Sequence, residues 1–332
     1  MSANEYPSVS VILPFQNNAS TLERTLKSIM NQDYPEGQFE LIMVCDTSTD
    51  GSVEIARTFQ QSHPSNVTLI VNSNQSKGPA PAANQAMRNA RGEILARMDG
   101  DAIVPPNWLS NLVRNFAREE VGGVEPFVIQ TDVKAIVPFR SSAASGFGPG
   151  VGSSFRKSAL SKVGYYDECY YHPFFGYFRE DADLVFKLEE HGFQIVRDER
   201  VKVFHPDRKR SMRLIVTQGR KYGLDPLLLR QHPARSRALL HVKIGFLSSW
   251  GLAFIALIIV TLASLMGLLS TDIRIQTLTV AFIAGSYLGV VGFYKKLSGK
   301  WIPQSPILLF LFLATFGIAR ISGSIIFRKP LL

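Results

Sequence analysis

The chain has 332 residues, 46% of them apolar, which is enough for one large domain or two ordinary ones and too many for a disordered polymer. Its two cysteines, Cys45 and Cys169, form no CxxC spacing and exclude both a disulfide framework and a cysteine-based zinc site. The formal charge of +9 resides entirely between Lys202 and Lys243, where eleven Lys and Arg stand against Asp207 and Asp225, so the remainder of the chain is neutral.

The opening residues Met1-Ser-Ala-Asn-Glu-Tyr-Pro7 lack a basic start and an apolar stretch, so no signal peptide is expected. Ser8-Val-Ser-Val-Ile-Leu-Pro14 predicts a buried strand, and Ser20 to Gln32 a helix with Leu22, Leu26, Ile29 and Met30 on one face. Ser20 followed by Glu23 has the spacing of a capping box. Phe39 to Cys45 reads as the next strand, then the turn Asp46-Thr-Ser-Thr-Asp-Gly51 and a helix from Ser52 to about Gln60. A third strand is predicted over Val67 to Val71, a third helix over Ala80 to Ala90, a fourth strand over Glu93 to Met98, and a later helix over Asp183 to His191. This alternation predicts an α/β fold over residues 1–205, with a largely parallel sheet and right-handed crossovers. Ligands of such sheets gather at the carboxyl ends of the strands, where Pro14, Asp46 and Asp99 fall.

Beyond a basic segment, 206–243, the composition changes. Residues 244–270 carry no charged side chain and are long enough to cross a bilayer, as are residues 275–294; a third apolar stretch, 304–327, is interrupted by Arg320. The expectation is a C-terminal transmembrane helical region. The basic segment and the Lys295-Lys296…Lys300 loop would lie on the cytoplasmic side. Three full crossings would leave Arg328-Lys329 outside, against the charge rule, whereas a re-entrant or interfacial third segment would not. A basic cluster beside apolar spans suits anionic lipid head groups. No nucleic-acid module accompanies it, so nucleic acid is not an expected partner.

Two acidic motifs carry the chemistry. Asp99-Gly-Asp101 places two carboxylates one residue apart at a predicted strand end, where they repel unless a cation sits between them. Glu180-Asp181 precedes a helix, whose dipole favours acids in its first turn and which also supplies a candidate proton acceptor.

These motifs stand in an ordered series of blocks. The series runs Val9-Ser-Val-Ile-Leu-Pro-Phe-Gln-Asn17, Val44-Cys-Asp-Thr-Ser-Thr-Asp-Gly-Ser52, Lys77-Gly-Pro-Ala-Pro-Ala-Ala-Asn84 and Asp99-Gly-Asp101. It continues with Gly152-Ser-Ser-Phe-Arg-Lys-Ser-Ala-Leu160, Val163-Gly-Tyr-Tyr-Asp-Glu168 and Arg179-Glu-Asp-Ala-Asp-Leu184. Over about residues 8–205 the chain resembles the inverting family 2 glycosyltransferases of GT-A fold, and its apolar tail resembles the membrane-anchored branch that includes succinoglycan-type exopolysaccharide enzymes.

That resemblance implies a nucleoside-diphosphate sugar donor and a lipid-linked saccharide acceptor. Asp99 and Asp101 would hold Mg²⁺ or Mn²⁺ against the donor diphosphate, with Asp99 also touching the donor. Asp46 would bind the nucleotide base, although Cys45 replaces the aspartate that usually precedes it. Pro14 and Gln16 would line the base pocket. Lys77 is a candidate for the diphosphate, with a solvated loop lysine as the alternative. Asp181 would be the base that deprotonates the acceptor, and Glu180 would orient the acceptor or a neighbouring side chain. His205 falls where related enzymes carry a histidine near the metal or diphosphate; a structural histidine is the alternative. Gln218-Gly-Arg-Lys-Tyr222 has the spacing of the family's Q-x-x-R-W, with Lys221 and Tyr222 as the replaced positions, and competes with an amphipathic interfacial helix. Asp50 and Gly51 read as a turn and cap. The Ser/Gly/Tyr-rich stretch 140–175 reads as an acceptor loop. Two rival functions remain: direct transfer to a polyprenyl phosphate, and a degenerate, membrane-anchored sugar-nucleotide-binding protein.

Overall fold

The structure is a computed structural model of the chain, and it describes residues 6–72, 78–131, 136–137, 150–206, 212–240, 242–244, 247–280 and 306–331. The chain forms two compact units, one of residues 1–171 and 177–208, the other of residues 172–176 and 209–332.

The first unit is built on a sheet whose central strands are buried on both faces. Its elements are β1 (Val9–Phe15), α1 (Leu22–Met30), β2 (Phe39–Asp46), α2 (Ser52–Ser62), β3 (Val67–Asn72), α3 (Pro79–Asn89), β4 (Ile94–Arg97) and α4 (Trp108–Val113). They continue with β5 (Val121–Thr131), β6 (Ile136–Val137), β7 (Ser154–Arg156), α5 (Lys157–Val163), α6 (Glu180–Glu190) and β10 (Gln194–Pro206), while the short strands β8 (Tyr171–His172) and β9 (Gly176–Tyr177) straddle the boundaries of the 172–176 segment. The sheet order is β10-β5-β7-β4-β1-β2-β3, with β6 added to β5. The pairs β1–β2, β1–β4, β2–β3 and β5–β10 are parallel, whereas β7 runs antiparallel to both β4 and β5.

Strand alternation assigns the two faces. Val9, Val11, Leu13 and Phe15 pack with Leu22, Leu26 and Ile29 of α1 and with Trp108, Leu109 and Leu112 of α4. Ile12 faces the other way, with Ile42, Val44 and Leu95, against the alanines of α3, Ala159 and Leu160 of α5, and Leu184 and Leu188 of α6. Each buried Leu or Ile contributes about 1.5–3 kcal/mol relative to exposure, so a three-layer arrangement follows from the strand pattern.

Two local expectations are corrected. Ser20 does not cap α1: the helix begins at Leu22 after Thr21, and Glu23 pairs instead with Lys27 at 2.6 Å. The Thr21 hydroxyl donates to the carbonyls of Asn18 (3.2 Å) and Gly100 (3.0 Å), so this end of the helix is tied to the acidic turn. The helix expected from Asp183 starts three residues earlier, at Glu180. Arg179 precedes it at φ +80°, a left-handed conformation in which an L-residue is strained.

The second unit contains α7 (Met212–Lys221), α8 (Asp225–Gln231), α9 (Pro233–Leu239), a short hairpin β11 (Val242–Ile244) and β12 (Leu247–Ser248), α10 (Ser249–Leu268) and α11 (Pro306–Ile326). α10 runs 20 residues without a charged side chain. Among the described residues, however, no helix is long and apolar enough to cross a membrane, so the spans expected at 244–270 and 304–327 are not established. Most of the expected span 275–294 lies outside the described residues. Arg320, the interruption in the third apolar stretch, is buried, as is Asp225. Its Nε donates to Asp225 Oδ2 at 3.0 Å and its Nη1 to the Ser248 hydroxyl, and its guanidinium lies 4.4 Å from the Phe316 ring centroid.

Candidate active site

The carboxyl ends of β1 and β2 form one interlocked corner. The backbone N–H of Asn17 donates to the Ser48 hydroxyl (3.0 Å), that of Thr49 to Asn17 Oδ1 (2.8 Å), and that of Ala19 to Asp50 Oδ2 (3.0 Å). Asn17 and Thr47 sit at positive φ, +53° and +59°. For a β-branched threonine this is an outlier that surrounding bonds must enforce. Burial tends to raise the pKa of Asp50, but hydrogen bonds from Ser52 and Ala19 outweigh it and hold the carboxyl below its usual range. Asp50 therefore knits the two turns together. Asp46 is the last residue of β2, beside this corner. Gln16 is exposed and its side-chain amide reaches the Thr47 carbonyl at 3.5 Å, whereas Pro14 is buried within β1. Cys45 is buried, with its thiol 3.3 Å from the Ser48 hydroxyl. Lys77 lies outside the described residues, as do residues 140–149 of the expected acceptor loop.

The second corner is made by β4 and the end of β10. Ile103 and Phe204 exchange two backbone hydrogen bonds of 2.8 Å. This bridge brings His205 Nε2 to 3.2 Å from Asp101 Oδ1 and 3.9 Å from Asp99 Oδ2. One ligand atom from each of Asp99, Asp101 and His205 lies within 4.8 Å of the others. Two carboxylates and an imidazole form a donor set for a divalent cation, and the nitrogen ligand suits Mn²⁺ better than the harder Mg²⁺. His205 Nδ1 is 3.0 Å from the Pro206 carbonyl. A proton on Nδ1 donated to that carbonyl leaves the Nε2 lone pair toward the carboxylates, the orientation a metal-binding histidine needs. The residues therefore fit the ion. In the protein alone, burial would lower the pKa of His205, but Asp101 and Asp99 raise it above its ordinary value.

Asp181 joins this corner through Arg97, which the sequence reading passed over as part of an apolar strand. Arg97 is buried, and its Nη1 donates to Asp181 Oδ1 at 2.8 Å while Nη2 lies 3.6 Å from Asp99 Oδ1. Nη1 also donates to the Tyr166 hydroxyl at 3.5 Å. Burial pushes the Asp181 carboxyl above its usual pKa; Arg97 opposes that shift and the Asp99 charge reinforces it. The available signal was a lone arginine, Arg97, at the end of an otherwise apolar strand and two residues before the acidic motif. Glu180 is buried next to Asp181 in the first turn of α6.

The structure thus gathers Asp99, Asp101, His205 and Asp181 in one place. Gln218 and Lys221, on α7, and Tyr222 after it belong to the second unit, where the Tyr222 ring meets Phe316 at 4.9 Å between centroids.

Among curated relatives, the chain is similar to the glycosyltransferase AglE of Haloferax volcanii, 35% identical over 103 residues, or 31% of this chain and 33% of that protein. It is also similar to a beta-monoglucosyldiacylglycerol synthase of Nostoc sp., 31% identical over 119 residues, 36% of this chain and 25% of that one. The match thus spans a third or less of the length of these two relatives. Among solved structures, the mannosyltransferase PcManGT from Pyrobaculum calidifontis, in complex with GDP-Man and Mn²⁺, superposes with a TM-score of 0.67 at 21% identity, covering 96% of this chain and 88% of its own. S. aureus TarS 1–349 in complex with UDP-GlcNAc gives 0.53 at 16% identity, covering 95% and 91%. Both likenesses establish the GT-A fold, with its mostly parallel sheet. Residues 10–186, more than half of the chain, match the family Glycosyl transferase family 2, and the chain belongs to that family.

Proposed function

We propose that the protein is a membrane-anchored, metal-dependent, inverting glycosyltransferase that moves a sugar from a nucleoside diphosphate to a lipid-linked saccharide at the cytoplasmic face of the cell membrane. The observation that carries this reading is the meeting of a carboxylate–imidazole cluster with a second, separately held carboxylate, Asp181, at the carboxyl ends of the strands. Two structural neighbours bound to nucleotide sugars, one of them with Mn²⁺, support the donor class and the ion.

In this reading Asp99, Asp101 and His205 hold Mn²⁺ or Mg²⁺, which when bound neutralises charge on the departing diphosphate. Asp46 and Gln16, with the backbone around Pro14, receive the nucleoside, and Asp99 and Lys77 meet the donor phosphates. The acceptor hydroxyl oxygen attacks the anomeric carbon from the side opposite the leaving group. A new C–O bond forms, the bond to the diphosphate oxygen breaks with its electron pair, and the hydroxyl proton passes to Asp181. Configuration inverts because there is a single displacement. A raised carboxylate pKa suits this role, bringing the base nearer to the working pH. Glu180, buried beside Asp181, orients neighbouring side chains.

The membrane part of the proposal rests on the second unit. Large apolar side chains stand exposed along it, among them Ile259, Leu262, Met266, Leu269, Leu278 and Ile325, more than a water-facing surface tolerates. The basic segment 206–243 precedes them and suits anionic lipid. Gln218, Lys221 and Tyr222 are the candidates in that segment for the diphosphate or the acceptor. The exposed apolar side chains and the basic segment support a lipid-linked acceptor, and one similar protein is named for a glycolipid product. Cys45, in place of an aspartate, favours the rival reading of a degenerate binding protein; the intact Asp99, Asp101 and Asp181 oppose it.

Donor turnover in membranes carrying the full chain tests the proposal, with a panel of nucleoside-diphosphate sugars and with Mn²⁺ against chelator. Asp181→Asn is expected to lose transfer by about 100-fold or more while still binding donor. Equal lipid-product yields from Asp181→Asn and the parent would refute the catalytic assignment.

A further inference from the structure

We propose that Arg97 is a positioning residue for the transfer step, a single buried cation that aims the Asp181 carboxylate and keeps it apart from the metal-side carboxylate Asp99. This inference rests on the assignment of Asp181 as the base.

The backbone fixes where this guanidinium begins. Arg97 is the last residue of β4, paired in register with Ile12 of β1, and its N–H donates to the Ser153 carbonyl at 3.0 Å. Its side chain is 5% exposed, so the head group has little freedom and little water around it. The guanidinium is rigid and planar and offers donors in two directions, which a lysine ammonium does not reproduce. Here one direction is used for Asp181 Oδ1 at 2.8 Å and the other faces Asp99 Oδ1 at 3.6 Å. Without that cation the Asp99 and Asp181 charges would repel each other with no guanidinium between them.

The second support of the arrangement comes from Tyr166. Its backbone is clamped by the buried Asn84 of α3, whose Nδ2 donates to the Tyr166 carbonyl at 2.9 Å and whose Oδ1 accepts from the Tyr166 N–H at 3.0 Å. The Tyr166 hydroxyl accepts from Arg97 at 3.5 Å, and the guanidinium lies 5.3 Å from its ring centroid. Arg97 therefore holds Asp181 from β4, and Tyr166 steadies the guanidinium from the stretch after α5. Asp99 and Asp101 face the side on which His205 completes the metal cluster. The division of labour is that the ion neutralises the acidic pair and Arg97 neutralises the base.

Arg97→Met removes the charge and keeps the bulk. The expected result is a kcat lower by about 100-fold with the donor KM within about 2-fold, since aim is lost and the donor contacts are kept. Arg97→Lys is expected to recover about 10-fold of that loss by restoring charge without the fork. Mn²⁺ binding, read by electron paramagnetic resonance on the full chain without donor or acceptor, is expected not to weaken in Arg97→Met, because Asp99, Asp101 and His205 remain. A merely structural role would instead weaken Mn²⁺ binding and raise the KM together, and that outcome would overturn the proposal. So would Arg97→Met with a kcat within about 3-fold of the parent while Asp181→Asn is inactive. An active Asp181→Asn would bring down the base assignment and this proposal with it. Should Arg97→Met fail to fold by circular dichroism, Tyr166→Phe replaces it. That variant is expected to lower kcat about 10-fold at constant KM, and an unchanged kcat would overturn the proposal.

Discussion

Replacing Gly150 by alanine would put a methyl group where the structure has a carboxylate oxygen. Gly150 adopts φ +69°, and a Cβ built on it lies 2.7 Å from Asp181 Oδ2, several tenths of an ångström inside ordinary contact. Two costs follow and can be separated. The left-handed backbone alone disfavours an L-residue by about 1–2 kcal/mol, which for a unit of this size lowers the melting temperature by about 2–8 °C. The clash adds a displacement of Asp181, because Arg97 holds that carboxylate and it cannot swing aside freely. A shift of about half an ångström at a proton acceptor is expected to lower kcat by about 10–100-fold. Gly164 supplies the control: at φ +86° and ψ 171° its backbone also disfavours an L-residue, with nothing within 4 Å of its Cβ. Gly164→Ala should therefore show the melting-temperature loss and keep its kcat. The assay is sugar transfer with Mn²⁺, alongside thermal unfolding of the same preparations. If Gly150→Ala and Gly164→Ala show the same kcat, the crowding of Asp181 by residue 150 has no bearing on catalysis and the reasoning fails.

His205→Ala is expected to weaken Mn²⁺ binding about 10-fold or more, measured calorimetrically without donor, since one of three ligands is lost. Asp225→Leu leaves Arg320 buried without its carboxylate and should destabilise the second unit by about 3–5 kcal/mol, whereas Asp225→Leu combined with Arg320→Met should regain most of that loss in thermal unfolding of the full chain. The Asp198 carboxyl is held down to about 2 by hydrogen bonds from Arg200, which outweigh its partial burial. Because this folded-state pKa lies below the ordinary 3.8, the stabilisation is present above that value and is lost as pH falls towards about 2. Asp198→Asn should accordingly lower the urea midpoint at pH 6 and narrow its difference from the parent as the pH approaches 2.

The elements legible in the sequence were those whose apolar pattern is local. β1 to β3 and α2 to α3 lie within a residue or two of their expected positions because β1 and β2 are buried on both faces and α3 shows a run of small residues to the sheet. Asp99 and Asp101 were found because their placement after a strand is a local property. What escaped was decided by partners distant in sequence. Thr21 rather than Ser20 marks the start of α1, since its hydroxyl has the Gly100 carbonyl to bind, 79 residues away. Arg97 hides in a strand that reads as apolar until Asp181, 84 residues later, is known to face it. The antiparallel β7 is only three residues long, too short for any periodicity to reveal its direction.

The bridge between Ile103 and Phe204 gives the metal cluster an order of assembly. Synthesis delivers the two aspartates about a hundred residues before the histidine, so a nascent chain ending short of β10 carries two thirds of the donor set and nothing to close it. Since domains fold as units while chains emerge at about 5–20 residues per second, several seconds separate the first ligand from the last. During that interval a divalent cation meets only a weak, open pair of carboxylates. On the proposed reading, high affinity for the ion arises late, once the segment after β4 and the end of β10 have paired.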